Sequence, residues 1–126
     1  MEKKYENTVT KAALRYLNDL PSTLAYKRQA GPGRRGKPDI TGSIFGQRIE
    51  IEMKIGDNFP TKIQRNWIHK WKRFGAITGC AWSVDDVKLI MSNAKICIFC
   101  GRPESEDYKL DKNGLCSLKC RKESKK

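Results

Sequence analysis

The sequence predicts an α/β protein, a mixed central sheet flanked by helices, with a small metal-binding module attached. Three observations predict it. Segments with helical and strand periodicity follow one another in the order helix, strand, strand, strand, helix, strand, helix. Apolar and charged residues alternate strictly from Arg48 to Ile55, the signature of a strand. At about Asn93 the chain changes character, and two pairs of cysteines appear within a stretch too short to fold on apolar burial alone. The expected division is 1–92 for the α/β domain and 93–126 for the module.

From about Glu2 to Asn18, Tyr5, Val9, Ala12, Ala13, Tyr16 and Leu17 recur at spacings of three and four, so an amphipathic helix is expected, with Leu20 prolonging the stripe and Pro21 ending the helix. Thr23 to Gln29 reads as a strand with Leu24 and Tyr26 inward. The next stretch, residues 30–38, has three glycines and two prolines and is a loop. Lys27, Arg28, Arg34, Arg35 and Lys37 place five cations and no acid between Lys27 and Lys37. Such a loop suits phosphate contact through cations and glycine N–H groups, and these five are the expected DNA-binding residues. A solvated linker is the plainer reading.

Asp39 to Phe45 and Gln47 to Ile55 form a hairpin around Gly46. A helix from about Lys62 to Phe74 follows, with Thr61 as N-cap, Gly75 as terminator and Ile63, Trp67, Trp71 and Phe74 as its apolar stripe. Gln64 completes a Thr-x-x-Gln capping box. His69, the only histidine, lies among cations and reads as a solvated side chain. Ala76 to Trp82 is a short buried strand with Cys80 as a small core residue. A last helix to about Met91 opens at Ser83, capped with help from Asp86.

The chain has 126 residues, of which 38% are hydrophobic and 32% charged, with a net charge of +12. The charge is spread as +8 over residues 1–90, with 17 Lys and Arg against 9 Asp and Glu, and +4 over 91–126, with 9 against 5. Both parts suit a polyanionic partner. No run approaches the roughly 18 apolar residues of a membrane span, and the N-terminus lacks a signal-peptide core. A cytoplasmic protein, bacterial or in a phage-infected host, with no membrane partner is expected.

On the Arg48–Ile55 strand, Ile49, Ile51 and Met53 fall on one face and Glu50, Glu52 and Lys54 on the other. Glu52 and Lys54, with Asp39 from the preceding strand, make a site for a divalent cation and a water. The same pattern fits the solvated face of an edge strand. Glu6 sits at the border of the first helix's apolar stripe, where an acid also suits the first helical turn. The Gly36-Lys37-Pro38-Asp39 run, Glu52-Met53-Lys54, Gln64-x-x-Trp67 on a helix and Glu6 on the first helix together resemble the PD-(D/E)XK nuclease superfamily, most closely its VRR-NUC branch, over residues 6 to 84. The resemblance implies a restriction-endonuclease-like core. It implies that Asp39, Glu52 and the Met53 carbonyl bind Mg2+ or Mn2+. Lys54 would orient or activate the water, Gln64 would contact water or phosphate, and Glu6 would assist.

Cys97-x-x-Cys100-Gly101 and Cys116-Ser117-x-x-Cys120, separated by fifteen residues, suit a tetrahedral Zn2+ held by four thiolates. They resemble a treble-clef finger. Two disulfides are the rival, ranked lower because nothing indicates secretion. Cys116 and Cys120 would share one face of a short helix. The expected function is a metal-dependent DNA endonuclease; the VRR-NUC resemblance implies that it is structure-selective like a Holliday-junction resolvase and, since such enzymes cut two strands symmetrically, a homodimer. A non-catalytic DNA-binding module and a sequence-specific restriction-type nuclease are the competitors.

Overall fold

The computed structural model describes residues 2–29, 31, 33 and 35–126, with side chains from residue 7 onward. Its elements are α1 (Glu2–Asn18), β1 (Thr23–Lys27), β2 (Ile40–Ile44), β3 (Gln47–Met53), α2 (Lys62–Arg73), β4 (Ile77–Ala81), α3 (Val84–Met91) and α4 (Leu118–Glu123). The strands form one sheet in the order β1-β2-β3-β4. β1, β2 and β3 are antiparallel neighbours. β4 is reached through α2 and lies parallel to β3, so the sheet is mixed, as the order of elements predicts.

The β2–β3 hairpin turns on Phe45 and Gly46, both at positive φ (47° and 82°). This is the two-residue turn whose twist matches antiparallel strands, and Gly46 takes its second position without strain.

Register fixes the two faces. Ala25, Gly42, Ile49 and Ile77 are aligned, as are Ile40, Ile51 and Gly79. On this face Ala13 and Leu17 of α1 and Val87 and Ile90 of α3 close the main core. Leu17, Ile40, Ile49 and Ile51 are fully buried, each worth about 1.5–3 kcal/mol in transfer free energy. The opposite face carries Glu50, Glu52, Thr78 and Cys80, and α2 lies over it. Both faces of β3 are therefore covered, and Ile49 to Met53 is buried without a break. The alternation in the sequence marks two environments, but neither is solvent.

Two expected stripes are displaced. In β1 the inward residue is Ala25, while Leu24 and Tyr26 are 67% and 56% exposed. α1 crosses close to this strand, so the small side chain faces it and the large ones face away. In α2 the buried residue is Ile68, which packs with Cys80 and Ile96, whereas Phe74 is 73% exposed. The aromatic residues at 67 and 71 are half-buried at the helix margins. Their rings are held by cations, with Arg48 4.6 Å from the centre of Trp71 and Lys37 and Lys70 5.4 and 5.0 Å from that of Trp67.

Both sheet edges are blocked against further strands. On β1, the Asn18 amide donates to the Ala25 carbonyl and accepts from its N–H, each at 2.9 Å. On β4, the Cys80 N–H donates to the Gly101 carbonyl at 2.9 Å. The C-terminal module therefore docks on the sheet through backbone pairing. Gly101 has φ of +84°, and a methyl group there would lie 3.1 Å from Ile68 and 3.3 Å from the Cys80 nitrogen.

Side chains complete the docking. Arg65 stacks over Phe99 at 4.2 Å, and Arg102 lies between Trp82 and Tyr108 at 3.8 and 3.7 Å. His69 is half-buried with Nε2 3.0 Å from the Phe99 carbonyl. It joins α2 to the module rather than standing in solvent, a correction to the sequence expectation. Ser83 caps α3 by accepting from the Asp86 N–H, but the Asp86 carboxylate accepts from the Trp82 N–H. Among the described residues, no helix is long and apolar enough to cross a membrane.

Candidate active site and a four-cysteine metal site

Asp39 immediately precedes β2. Continuing the Ile40↔Ile51 pairing by one residue sets it opposite Glu52 on the α2 side of the sheet. One Asp39 carboxylate oxygen, Oδ2, accepts from the Met53 N–H at 3.0 Å, and its carbonyl accepts from the Arg28 N–H at 2.6 Å. The backbone thus fixes the residue at both ends. Glu52 is 2% exposed. Lys54 Nζ lies 3.9 Å from Glu52 Oε2, and the Gln64 amide nitrogen 3.5 Å from the same oxygen.

Gln64 resolves two readings of one residue, because it serves both. Its backbone N–H donates to Thr61 Oγ1 and its Oε1 accepts from the Thr61 N–H, completing the capping box. The remaining amide group, Nε2, points to Glu52. The cap therefore orients the amide.

Glu50, two residues before Glu52, differs completely. It is fully buried. Arg28 contacts it with both terminal nitrogens at 2.9 and 3.3 Å, Arg48 Nε reaches it at 2.9 Å, and the Thr41 hydroxyl donates to it. Arg28 also donates to the Pro38 carbonyl at 2.8 Å. This cluster ties the residues just before Asp39 to the middle of β3. Sequence reasoning missed the role of Glu50. The available signal was its adjacency to Arg48 on a strand that proves buried on both faces.

Of the other expected DNA contacts, Lys27 is exposed and donates to the Asn7 side chain at 3.2 Å, Arg35 is exposed, and Lys37 lies against Trp67. Arg34 and the Glu6 side chain lie outside the described residues. Cys80, opposite Glu52 in the ladder, is fully buried. Burial first, and then the Glu52 charge, push its thiol well above the usual range. It stays protonated and acts as a core residue.

The donor set at Asp39 and Glu52 fits a hard divalent cation. Asp39, just before β2, and Glu52 on β3 bring two carboxylates to the same side of the sheet, an all-oxygen donor pair of the kind such an ion takes.

The four remaining cysteines form the second site. The sulfur atoms of Cys97, Cys100, Cys116 and Cys120 all lie within 4.8 Å of one another. Cys100 and Cys116 are 3.6 Å apart, and Cys116 and Cys120 3.8 Å. A tetrahedral zinc with bonds near 2.3 Å has sulfur–sulfur edges of about 3.8 Å, so the spacing fits zinc. It is far from the ~2.05 Å of a disulfide, and all five cysteines are free thiols.

Backbone N–H groups of Phe99 and Arg102 donate to the sulfurs of Cys97 and Cys100, each at 3.4 Å. The bonds that Cys97 and Cys120 make with Cys100 draw both thiols down, Cys120 to about 7, while Cys116 pushes Cys100 up. Four thiols this close compete for their protons, and a divalent ion bound between them would replace those protons. Cys116 lies before Ser117, the N-cap of α4, and only Cys120 is helical. The expectation that both share a helix face is corrected, because Ser117 caps the helix between them.

No family model matches the chain, and no curated protein matches it. Among solved structures, a VRR_NUC domain protein matches over 90% of this chain and 96% of its own, with a TM-score of 0.55 at 15% sequence identity. In fold, therefore, the chain is similar to a VRR_NUC domain protein, with a four-cysteine site that fits zinc joined to its sheet.

Proposed function

We propose that the protein is a Mg2+- or Mn2+-dependent endonuclease that hydrolyses DNA phosphodiester bonds. One observation carries the reading. Asp39, just before β2, and a buried Glu52 on the neighbouring strand β3 stand opposite each other, with Lys54 and Gln64 directed at Glu52, in a chain of net charge +12. The similarity in fold to a VRR_NUC domain protein supports it.

Asp39 and Glu52 would hold the ion, with the Met53 carbonyl and Glu6 as further ligands. When bound, such an ion stabilises charge on the phosphoryl group and supplies a nucleophilic water. Lys54 contributes a fixed positive charge beside the reacting phosphate and a donor that orients the attacking water. Gln64, locked by its cap with its amide turned toward Glu52, would contact the attacking water or a substrate phosphate. Arg28 holds the approach to Asp39, while Lys27, Arg34, Arg35 and Lys37 meet phosphates flanking the cut. Cleavage leaves a 5'-phosphate and a 3'-hydroxyl.

The substrate we propose is branched DNA of replication, recombination or repair, cut by a homodimer, since symmetric incision of two strands needs two sites. Cleavage of a labelled four-way junction, a flap and a plain duplex tests this. Metal-dependent cutting that favours the junction, with two symmetric incisions, is expected. Equal cutting of all three overturns the structural selectivity. Salt-sensitive binding with no cutting under either metal overturns the nuclease.

A further inference from the structure

The outward side of α2 carries Ile63, Asn66, Trp67 and Lys70, residues at i, i+3, i+4 and i+7 that line a concavity of about 250 Å³. Gly36 and Lys37 lie against two of its lining residues. Gly36 is pressed so closely on Ile63 that a methyl group at that position would overlap the Ile63 side chain. Lys37 follows and sets its ammonium 5.4 Å from the centre of the Trp67 ring, while Lys70 lies 5.0 Å from the same centre. α2 contains five cations and no acid from Lys62 to Arg73. Gln64, which reaches Glu52, is one helical turn from Trp67. An indole flanked by two ammonium groups, with no carboxylate on its helix, is unsuited to core packing and absent from the core clusters.

We infer that Trp67 is a stacking platform for an unpaired nucleobase of a single-stranded segment adjoining the cut. Lys37 and Lys70 would swing from the ring to the phosphates on either side of that base. Every base has a π-face, so such a platform accepts any sequence but requires the base to be unstacked from a duplex. Charge selects this occupant. A second copy of the chain would bring the same cationic helix against itself, whereas a nucleic-acid strand supplies the counter-charge. The inference rests on the nuclease reading for its place beside a cut, and it narrows the substrate to DNA with an unpaired segment there.

The test is equilibrium binding, in chelator, of a short oligothymidylate and of a blunt duplex by the full chain. Trp67→Ala, Trp67→Phe and Lys70→Ala are compared with the unaltered protein, and each variant is checked for unchanged thermal unfolding. Trp67→Ala should weaken single-strand binding by about 5- to 150-fold and leave duplex binding unchanged. Trp67→Phe should retain most of the affinity, because a ring remains. Lys70→Ala should reduce the salt slope by about one. Single-strand affinity that survives Trp67→Ala, or a loss equal for single strand and duplex, overturns the platform. Because no metal is present, the two readings fail separately. Trp67-dependent binding without cutting in either Mg2+ or Mn2+ rejects the nuclease alone, and cutting with Trp67-independent binding rejects the platform alone.

Discussion

Replacing Glu50 with alanine should be among the costliest single changes in the protein. The carboxylate is fully buried and faces two guanidinium groups and a hydroxyl. Arg48 has a half-exposed side chain, so water can replace its partner, and its share of the loss is small. Arg28 is only 16% exposed. Removing Glu50 strands that charge in a poorly solvated site, for which breaking a buried pair costs about 3–5 kcal/mol. Residual access at Arg28 puts the expectation near the lower end, about 3 kcal/mol, or on the order of 10 °C in melting temperature.

Urea unfolding of Glu50→Ala, Arg28→Met and the double variant supplies the measurement. The double variant should recover part of the loss, because Arg28→Met removes the charge that Glu50→Ala strands, so the two changes are not additive. A Glu50→Ala cost below about 1 kcal/mol, or strict additivity of the two changes, would refute the reasoning.

Leu17→Ala should cost about 2–5 kcal/mol in chemical denaturation, since Leu17 is fully buried between α1 and the sheet. Native mass spectrometry should find one zinc per chain, and chelation should lower the melting temperature of the α/β domain too, because Cys80, His69 and Arg65 all contact the module. A module that melts alone contradicts that coupling. In the zinc-loaded protein, an alkylating reagent at neutral pH should leave Cys80 unlabelled until global unfolding, as its thiol is buried and stays protonated.

Asp111 accepts N–H bonds from Leu115 and Asn113, which hold its carboxyl below the usual range. A depressed folded pKa gives stability that is present above the unfolded value and lost as pH falls through the folded one. Asp111→Asn should therefore flatten the decline in stability below about pH 4, as read by acid titration of the unfolding midpoint.

The order of elements was legible because each carries its own local signal. The helix of α1, the hairpin around Gly46 and the Thr61–Gln64 box all survive in the folded chain, with Phe45 joining Gly46 in the turn rather than ending the strand. What faces what was less legible, since it depends on partners distant in sequence. The strand pattern points Leu24 and Tyr26 inward, yet beside α1 it is Ala25 that is buried. Trp67 and Trp71 were assigned to the α2 core because they are apolar, but Ile68 fits between α2 and Cys80.

The candidate site shows the same division. Asp39, Glu52 and Lys54 stand out by spacing, but locally only Arg48, two residues before Glu50, separates Glu50 from Glu52. The rest of that distinction arises from Arg28, twenty-two residues away. Likewise His69 gains its role only when the chain returns at Phe99.

The most direct test is metal-dependent DNA cleavage by the unaltered protein, Glu52→Gln, Lys54→Ala and Glu50→Gln, assayed in Mg2+ and Mn2+ at a temperature where each is folded. The proposed site predicts cutting by the unaltered protein, loss of at least a hundredfold in Glu52→Gln, which weakens the hold on the ion, and in Lys54→Ala, which removes a transition-state donor, and retained cutting by Glu50→Gln. Undiminished cleavage by Glu52→Gln and Lys54→Ala, or no cleavage by any form in either metal, would contradict it.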